Sequence, residues 1–479
     1  MFKHTKIVAT LGPSCKDINA LKEMVIAGMD VARLNFSHGT HEEHRELFNN
    51  IREIERQTSM PVAIMQDLQG PKIRIGVMPP EGVELAEGQI IVFNTGVINF
   101  ADEEIPIDFL ELHSFVKSGE RLLVNDGRIE TKIIKVEGRK IYAEVVEGGR
   151  VISHHGINLP DSELRVAAIT EKDKEDLKLA VQLGVEFVAV SFVNKAQDIL
   201  DAKYLIKEYE EALGVQSGQP SIRLVAKIER RDAVKNIKEI IEAADVIMVA
   251  RGDLGIEVSA AEVPLIQKRL IDEANAAAKP VIVATQMLDS MREHRRPTRA
   301  EVSDVANAVI DHADALMLSN ETAAGKYPAL AVQTMAEIIH ATERSSYDDV
   351  AASFNYKKGM PVDEALSDLS KILAEEVRAK LILAASISGE SGRLISHVRP
   401  SLPILVATSS ERVQRQLNLS WGVKSFILPQ SHSIEELVDR SINYIKQNKL
   451  AKDGERMIVV AGEPVGQAGH MNLVEVREI

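Results

Sequence analysis

The feature that most limits what this chain can become is a rhythm of short apolar runs, each followed by a stretch with helical spacing. The runs are Ile7–Leu11, Val31–Phe36, Val62–Met65, Phe187–Phe192, Arg223–Ile228, Val246–Ala250, Val281–Thr285 and Ala315–Leu318. Val, Ile, Ala and Met fill them, mostly without alternation. Strands buried on both faces of a parallel sheet read this way, and about eight of them close a (β/α)8 TIM barrel. Between the runs, Ile18–Ala27 is predicted helical, with Ile18, Leu21 and Val25 on one face and Gly28 as the C-cap. Thr298 and Glu301 have capping-box spacing, and the helix they open is predicted to bury Val302, Val305, Ala306 and Val309.

The rhythm breaks between about Pro71 and Ala168. Turn signals there (Pro79-Pro80-Glu81-Gly82, Glu87-Gly88, Asn125-Asp126-Gly127, Glu147-Gly148-Gly149) separate short β-type runs such as Ile90–Phe93 and Thr131–Val136. This predicts a small β-barrel lid domain inserted after the third strand. Beyond residue 340, Ser345–Gly359 reads as a connection. A second α/β series follows at Leu381–Ile387, Ile404–Thr408, Ser425–Leu428 and Met457–Ala461, an open parallel sheet. The expected division is 1–70 and 169–340 for the barrel, 71–168 for the lid and 341–479 for a C-terminal α/β regulatory domain. A chain of 479 residues is too long for one core, since cores stop growing near ~250–300 residues.

The formal net charge of −14 argues against a broad surface for nucleic acid, though not against a local basic pocket. The one cysteine, Cys15, has no partner for an internal disulfide, which fits a reducing compartment. The N-terminus lacks the apolar stretch of a signal peptide, and no apolar run reaches the ~18 residues of a membrane span. A soluble, cytoplasmic protein is expected.

Chemistry in such a barrel sits at the C-terminal ends of the strands. The polar residues there are Arg33, Asn35, Ser37 and His38 after the second run, Asp67 after the third, and Lys227 and Glu229 on the fifth. Arg251, Gly252 and Asp253 follow the sixth, Thr285 lies at the seventh, and Asn320 and Glu321 at the eighth. Lys227 and Glu229, two apart on a strand, point the same way. Arg251 and Asp253 repeat that spacing and are expected to continue the next strand, unless Gly252 makes a turn. Two carboxylates facing each other, Glu229 and Asp253, call for a cation between them, and a hard divalent ion that keeps some waters suits oxygen ligands. Lys227 beside them can neutralise a phosphate or a developing oxyanion. Gly252-Asp253-Leu254-Gly255 follows a strand and can open a helical turn, whose backbone N–H groups would then hold a carboxylate or phosphate. Taken singly, each feature reads as well as a surface pair, a turn or a helix cap. Their coincidence on successive strand ends favours a metal-assisted anion site.

Together these residues resemble the pyruvate kinase family, of the bacterial type. The matching segments are Thr5–Ser14 (Thr-Lys-Ile-Val-Ala-Thr-Leu-Gly-Pro-Ser), Ala32–Gly39 (Ala-Arg-Leu-Asn-Phe-Ser-His-Gly), Lys227-Ile228-Glu229, Ala250–Gly255, Ala284–Leu288 and Pro297–Ala308. The resemblance runs from near residue 5 to near the C-terminus. It implies phosphoryl transfer from phosphoenolpyruvate to ADP, giving pyruvate and ATP, with Mg²⁺ or Mn²⁺ as cofactor. It further implies that Lys227 stabilises the phosphoryl group in flight and the enolate, that Glu229 and Asp253 ligate the ion, and that Arg33 contacts the substrate phosphate. Gly252, Asp253 and Thr285 would hold the substrate carboxylate, with Thr285 also on the path that protonates the enolate through water. Asn35, His38, Arg74, Asp126 and His155 would line the nucleotide side under the lid, and the enzyme would be a homotetramer. The sequence also leaves open another Mg²⁺-dependent barrel enzyme acting on phosphoenolpyruvate or an oxoacid, and an inactive phosphometabolite sensor.

Departures from the family pattern carry information. Members that need K⁺ read Asp-Thr-Lys-Gly-Pro-Glu where this chain has Asp67-Leu68-Gln69-Gly70-Pro71-Lys72. Asn35, Ser37 and Asp67 of the monovalent-ion site are kept, while Leu68 cannot ligate and Lys72 can supply the missing charge. The resemblance is thus to the K⁺-independent branch. His155 replaces a common Lys, and His312 and Asn320 replace common glycines. Ser386, Ser388, Gly389 and Ser391 form a candidate effector phosphate loop, although Glu390 puts a negative charge where a basic residue is common. The last loop, Gly462-Glu463-Pro464-Val465-Gly466, lacks the Trp and Arg of members responding to fructose 1,6-bisphosphate. A monophosphate activator and an unregulated turn are both compatible with the sequence.

Overall fold

The structure, a computed structural model, describes residues 3–162, 167–215, 218–348, 360–462 and 471–479. Positions 349–359 of the expected connection and 463–466 of the last loop lie outside these residues. The strands Lys6–Leu11, Val31–Asn35, Ala63–Asp67, Phe187–Val190, Arg223–Ile228, Val246–Ala250, Val281–Ala284 and Ala315–Leu318 form a closed parallel barrel, each pairing with the next and the eighth with the first. Every residue of the third strand is buried, as are those of the first, sixth, seventh and eighth, which is why the runs carry no alternation.

Alternate residues of each strand face the barrel axis. Val8, Val31, Ala63, Met65, Phe187, Ala189, Val225, Met248, Ile282 and Met317 form the apolar interior. The next inward positions toward the C-terminal ends are Thr10, Arg33, Asp67, Ser191 and Lys227, all buried. A polar layer therefore caps an apolar one. The interior below offers these charges no partners, so they pair with each other or with what enters from above.

The helices follow local chemistry. Ile18–Ala27 starts at Asp17, whose carboxylate accepts from the Asn19 and Ala20 amides, and stops at Gly28 with φ 121°. It buries Leu21, Met24 and Val25. Thr298 and Glu301 close the expected capping box on the helix Arg299–Ile310. The buried stripe, however, is Val305, Ala308 and Val309. Val302 and Ala306, expected inside, are turned outward and line a groove with Ile310, Ile338 and Ala341 of the helix Pro328–Glu343 and its flank. Both sides of this helix are apolar, so periodicity alone could not choose between them.

Between the third and fourth barrel strands lies the insert. Strands Ile90–Asn94, Glu104–Pro106, Arg121–Val124, Ile129–Glu137, Lys140–Glu147 and Ile157–Asn158 form a six-stranded sheet, and Val83–Leu85 pairs with Gly149–Val151. Both surround one apolar core that includes Leu85, Phe93, Ile105, Leu122, Ile141 and Val151. The turn Asn125-Asp126-Gly127 takes positive φ at all three residues (58°, 54° and 81°). It rests on the barrel mouth, where Gly127 leaves Ile256 only ordinary contact room.

The C-terminal sheet runs Val423–Ile427, Ile404–Thr408, Leu381–Ala385, Arg456–Ala461 and Leu473–Glu478. The first four strands are parallel. The fifth is an antiparallel edge strand, partly exposed along its length, that the expectation of a wholly parallel sheet did not include.

Candidate active site

At the mouth of the barrel the polar layer is cross-linked by charge. Arg33, on the second strand, places Nε and Nη2 on Asp67 Oδ2 at 2.7 and 2.6 Å and donates through Nη1 to Thr10 Oγ1 at 2.8 Å. Asp67 ends the third strand and also faces the Lys227 ammonium at 3.2 Å. Lys227 contacts Glu229 Oε1 at 2.8 Å and Ser191 Oγ at 2.6 Å. The other Glu229 oxygen accepts from the Phe192 amide at 2.7 Å.

The electrostatics follow from this chain of alternating sign. Burial alone would lower the Lys227 ammonium, but Asp67 and Glu229 outweigh it and hold the group above the usual lysine range. Burial would raise Asp67, yet Lys227 and Arg33 keep its carboxyl below the ordinary value. Glu229 is pushed up by burial; Lys227 opposes that shift and Asp253 reinforces it.

Above these groups opens a cavity of about 340 Å³. Arg33, Asn35, Ser37, His38, Lys227, Glu229 and Asp253 line it from the barrel, Gln69, Lys72 and Arg74 from the chain leaving the third strand, and Asn125, Asp126, His154 and His155 from the insert. Its cations favour an anionic occupant. Desolvation at the rim lowers the His38 imidazole, and Arg74, Lys72 and Arg33 add to the shift. Burial likewise lowers His155, against the pull of Asp126.

Glu229 and Asp253 share this cavity, and Asp253 raises Glu229. Among the described residues no three His, Cys, Asp or Glu side chains cluster as a ready metal cage. A hard divalent cation that keeps waters and takes substrate oxygens needs only one or two carboxylates. The donor set fits such an ion, which would relieve the mutual repulsion of the pair.

Several rim residues are placed differently from expectation. The sixth strand ends at Ala250, and Arg251–Glu257 is a short helix, so of the two readings open for Arg251 and Asp253 the helical turn holds and the continued strand does not. Arg251 turns away from Asp253 to pair with Asp304 at 2.7 Å and to donate to the Thr285 carbonyl at 2.7 Å. Gly252, within this helix, leaves room for Thr285, whose Oγ1 a Cβ there would meet at 3.3 Å. Glu321 is buried and accepts from the Leu288 and Ser319 amides; neither it nor Asn320 lines the cavity. Thr285, at φ 74°, stands just behind, its Oγ1 accepting from the Gly252 amide at 2.8 Å.

The positions expected to concern a monovalent ion divide. Asn35 Oδ1 accepts from the Ser37 amide at 3.1 Å. Leu68 is buried outside the cavity, whereas Lys72 reaches into it, lying across Gly156, where a Cβ would meet Lys72 Cε at 3.0 Å. Arg74 donates to the His154 carbonyl at 3.2 Å. His312 occupies φ 66°, the region that explains a glycine preference there. In the C-terminal loop, Ser386 and Gly389 are buried and Ser388 and Ser391 half-buried. The Ser388 carbonyl accepts from Arg223 at 3.3 Å, and Glu390 pairs with Arg393.

Sequence reasoning missed Ser191, Phe192 and Gln69. Ser191 was absorbed into an apolar run, although it is the next inward position after Phe187 and Ala189. That two-residue register was the available signal.

A family model described as the pyruvate kinase barrel domain matches residues 2–332, and one described as the pyruvate kinase alpha/beta domain matches residues 364–477. The chain belongs to the pyruvate kinase family. It is 40% identical over 482 residues to a pyruvate kinase of Geobacillus stearothermophilus, covering 100% of this chain and 81% of the relative. It is 40% identical over 483 residues to a pyruvate kinase of Mycobacterium tuberculosis, covering 100% and 99%. A crystal structure of a pyruvate kinase from Cryptosporidium parvum superposes with a TM-score of 0.92 at 33% identity, covering 99% of this chain and 96% of that one. As a member of the pyruvate kinase family the chain is a phosphotransferase, converting phosphoenolpyruvate and ADP to pyruvate and ATP.

Proposed function

We propose that this transfer takes place in the cavity at the barrel mouth and that Lys227 is its central group. The observation that carries the assignment is a buried ammonium kept charged by two touching carboxylates, directly beneath a cavity lined by further cations. Phosphoryl transfer asks the protein chiefly for position and charge neutralisation. Lys227 and Arg33 face the transferred phosphoryl group. Glu229 and Asp253 would hold Mg²⁺ or Mn²⁺, which when bound neutralises phosphate and enolate oxygens. The substrate carboxylate takes the Gly252 and Asp253 amides, for which the Thr285 hydroxyl must release Gly252. That hydroxyl is then free to pass a proton through water toward the enolate carbon.

Asn35, His38, Arg74, Asp126 and His155 form the nucleotide side, with the 71–168 insert as a lid that excludes water. Lys72, inside the cavity, stands in for K⁺ where Leu68 offers no side-chain oxygen, and this supports activity without K⁺. Ser386, Ser388, Gly389 and Ser391 are proposed to take a monophosphate effector. Two features favour this: Arg223 and Arg393 lie beside the loop, and Arg393 can exchange Glu390 for a phosphate. The outward apolar face of Val302, Ala306 and Ile310 supports self-association, as a homotetramer. No helix among the described residues is long and apolar enough to cross a membrane. The family's reaction, which draws on ADP and phosphoenolpyruvate, supports a cytoplasmic location.

Pyruvate formation followed with lactate dehydrogenase tests the reading. Turnover is expected to require both ADP and Mg²⁺. Pyruvate released without ADP, or at an undiminished rate in EDTA, would favour a mutase or lyase and refute it.

A further inference from the structure

We infer that Ser191 is a positioning residue for the phosphoryl-transfer lysine, an assignment that rests on the reading of Lys227 given above. An ammonium has three N–H donors. Those of Lys227 go to Glu229 at 2.8 Å, Asp67 at 3.2 Å and Ser191 at 2.6 Å. Two of these acceptors are anions with other duties. Asp67 also holds Arg33, and Glu229 is one of the two carboxylates suited to a divalent cation. Whatever draws on Glu229 weakens its claim on Lys227 and leaves one N–H for the phosphoryl oxygens. Ser191 is the neutral partner; its oxygen also lies 3.4 Å from Asp67 Oδ1, a longer contact than the 2.7 Å bond to the Leu68 carbonyl.

The hydroxyl is itself fixed. Ser191 is 2% exposed and donates its own hydrogen to the Leu68 carbonyl at 2.7 Å, so an oxygen lone pair remains aimed at Lys227. The following residue, Phe192, has φ 56° and places its amide on Glu229. The strand end 191–192 thus holds both the cation and the carboxylate beside it. Gly70, at φ 67°, allows the close approach, since a Cβ there would lie 3.1 Å from Ser191 Cβ. A neutral acceptor also suits the task better than a third carboxylate. It sets the direction of the ammonium without adding an anion that would repel the phosphoryl group.

The test compares Ser191→Ala, Ser191→Cys and Lys227→Met in the full chain, reading kcat, KM for phosphoenolpyruvate and Mn²⁺ affinity by electron paramagnetic resonance titration. Removing the acceptor from a buried charged donor is expected to lower kcat by about 10- to 100-fold. KM and Mn²⁺ affinity are expected to stay within about twofold, because Glu229 and Asp253 remain in place. Cysteine, close in size but a weak acceptor, should fall between serine and alanine. Should the alanine variant fail to fold, the cysteine variant decides alone, by lowered or unchanged kcat at wild-type Mn²⁺ affinity. A kcat near wild type in the Ser191 variants, with Lys227→Met inactive, overturns the inference. So does a loss confined to KM, or one that tracks lost Mn²⁺ binding. Turnover by Lys227→Met would instead overturn the reading on which the inference rests.

Discussion

The two ends of the barrel each bury a lysine, and the two are driven in opposite directions. Lys227, at the mouth, touches Asp67 and Glu229 and is held above its ordinary range. Lys6, at the floor, is 5% exposed, and its ammonium donates to the Val423 carbonyl at 2.7 Å. Burial lowers it to about 8; Asp30 and Glu343 oppose that shift, and Lys3 and Lys424 add to it. Lys6 lines a cavity of about 1110 Å³, larger than the one at the mouth. Burial by itself pushes an amine toward neutrality; carboxylates in contact reverse the push and keep the charge available. Neither burial nor cavity size distinguishes the end proposed as catalytic, whereas the pairing of charges does.

The sharpest way to break the comparison is to remove each amine in turn. Lys227→Met is expected to lower kcat by about 10³-fold or more, the scale of losing a preorganised charge at a transferring phosphoryl group. Lys6→Met should leave kcat within about threefold, since it touches nothing at the mouth. Comparable losses in both variants of the coupled assay would mean that the floor shares in the chemistry.

Next in size is a stability difference with a definite pH dependence. The folded chain disfavours the Lys6 ammonium, with its pKa lowered from 10.5 to about 8, so the unfolded chain binds the extra proton between those values. The penalty is full below pH 8, shrinks as pH rises from 8 to 10.5 and is absent above. Lys6→Met is therefore expected to stabilise the chain at pH 7 by about 1–3 kcal/mol, reduced by the lost Val423 hydrogen bond. Urea melts at pH 7 and pH 10 should show the gain fading. A variant less stable than wild type at pH 7 would show that Lys6 is an anchor rather than a burden.

The smallest expected effect concerns Lys72. With its ammonium in the cavity and Leu68 in place of a ligand, the rates in Tris and in KCl at matched ionic strength should agree within about twofold. A large stimulation by K⁺ would return Lys72 to a solvent-facing role.

Much of this was legible in the sequence, for identifiable reasons. Eight continuous apolar runs announced the barrel because strands covered on both faces tolerate little else. Lys227, Glu229 and Asp253 stood out as charges at the ends of such strands. What the sequence hid were directions. The side of the Arg299–Ile310 helix that faces inward was ambiguous because both sides are apolar. For Asp253 the sequence left a strand and a helical turn both open, because two-residue spacing and the glycines of Gly252-Asp253-Leu254-Gly255 pointed different ways; the helix is what forms. Ser191 was concealed by its apolar neighbours, although counting by twos from Phe187 reaches it. The edge strand Leu473–Glu478 mixes apolar and charged residues and lacked the continuous signal of its buried neighbours.

Whether Glu229 and Asp253 jointly serve one cation can be measured without reference to turnover. Mn²⁺ binding by electron paramagnetic resonance, on the wild-type chain and on Glu229→Gln and Asp253→Asn, addresses it most directly. The account predicts one Mn²⁺ per chain in the wild type and a loss of affinity of about tenfold or more in each variant. Wild-type affinity in either variant would contradict it.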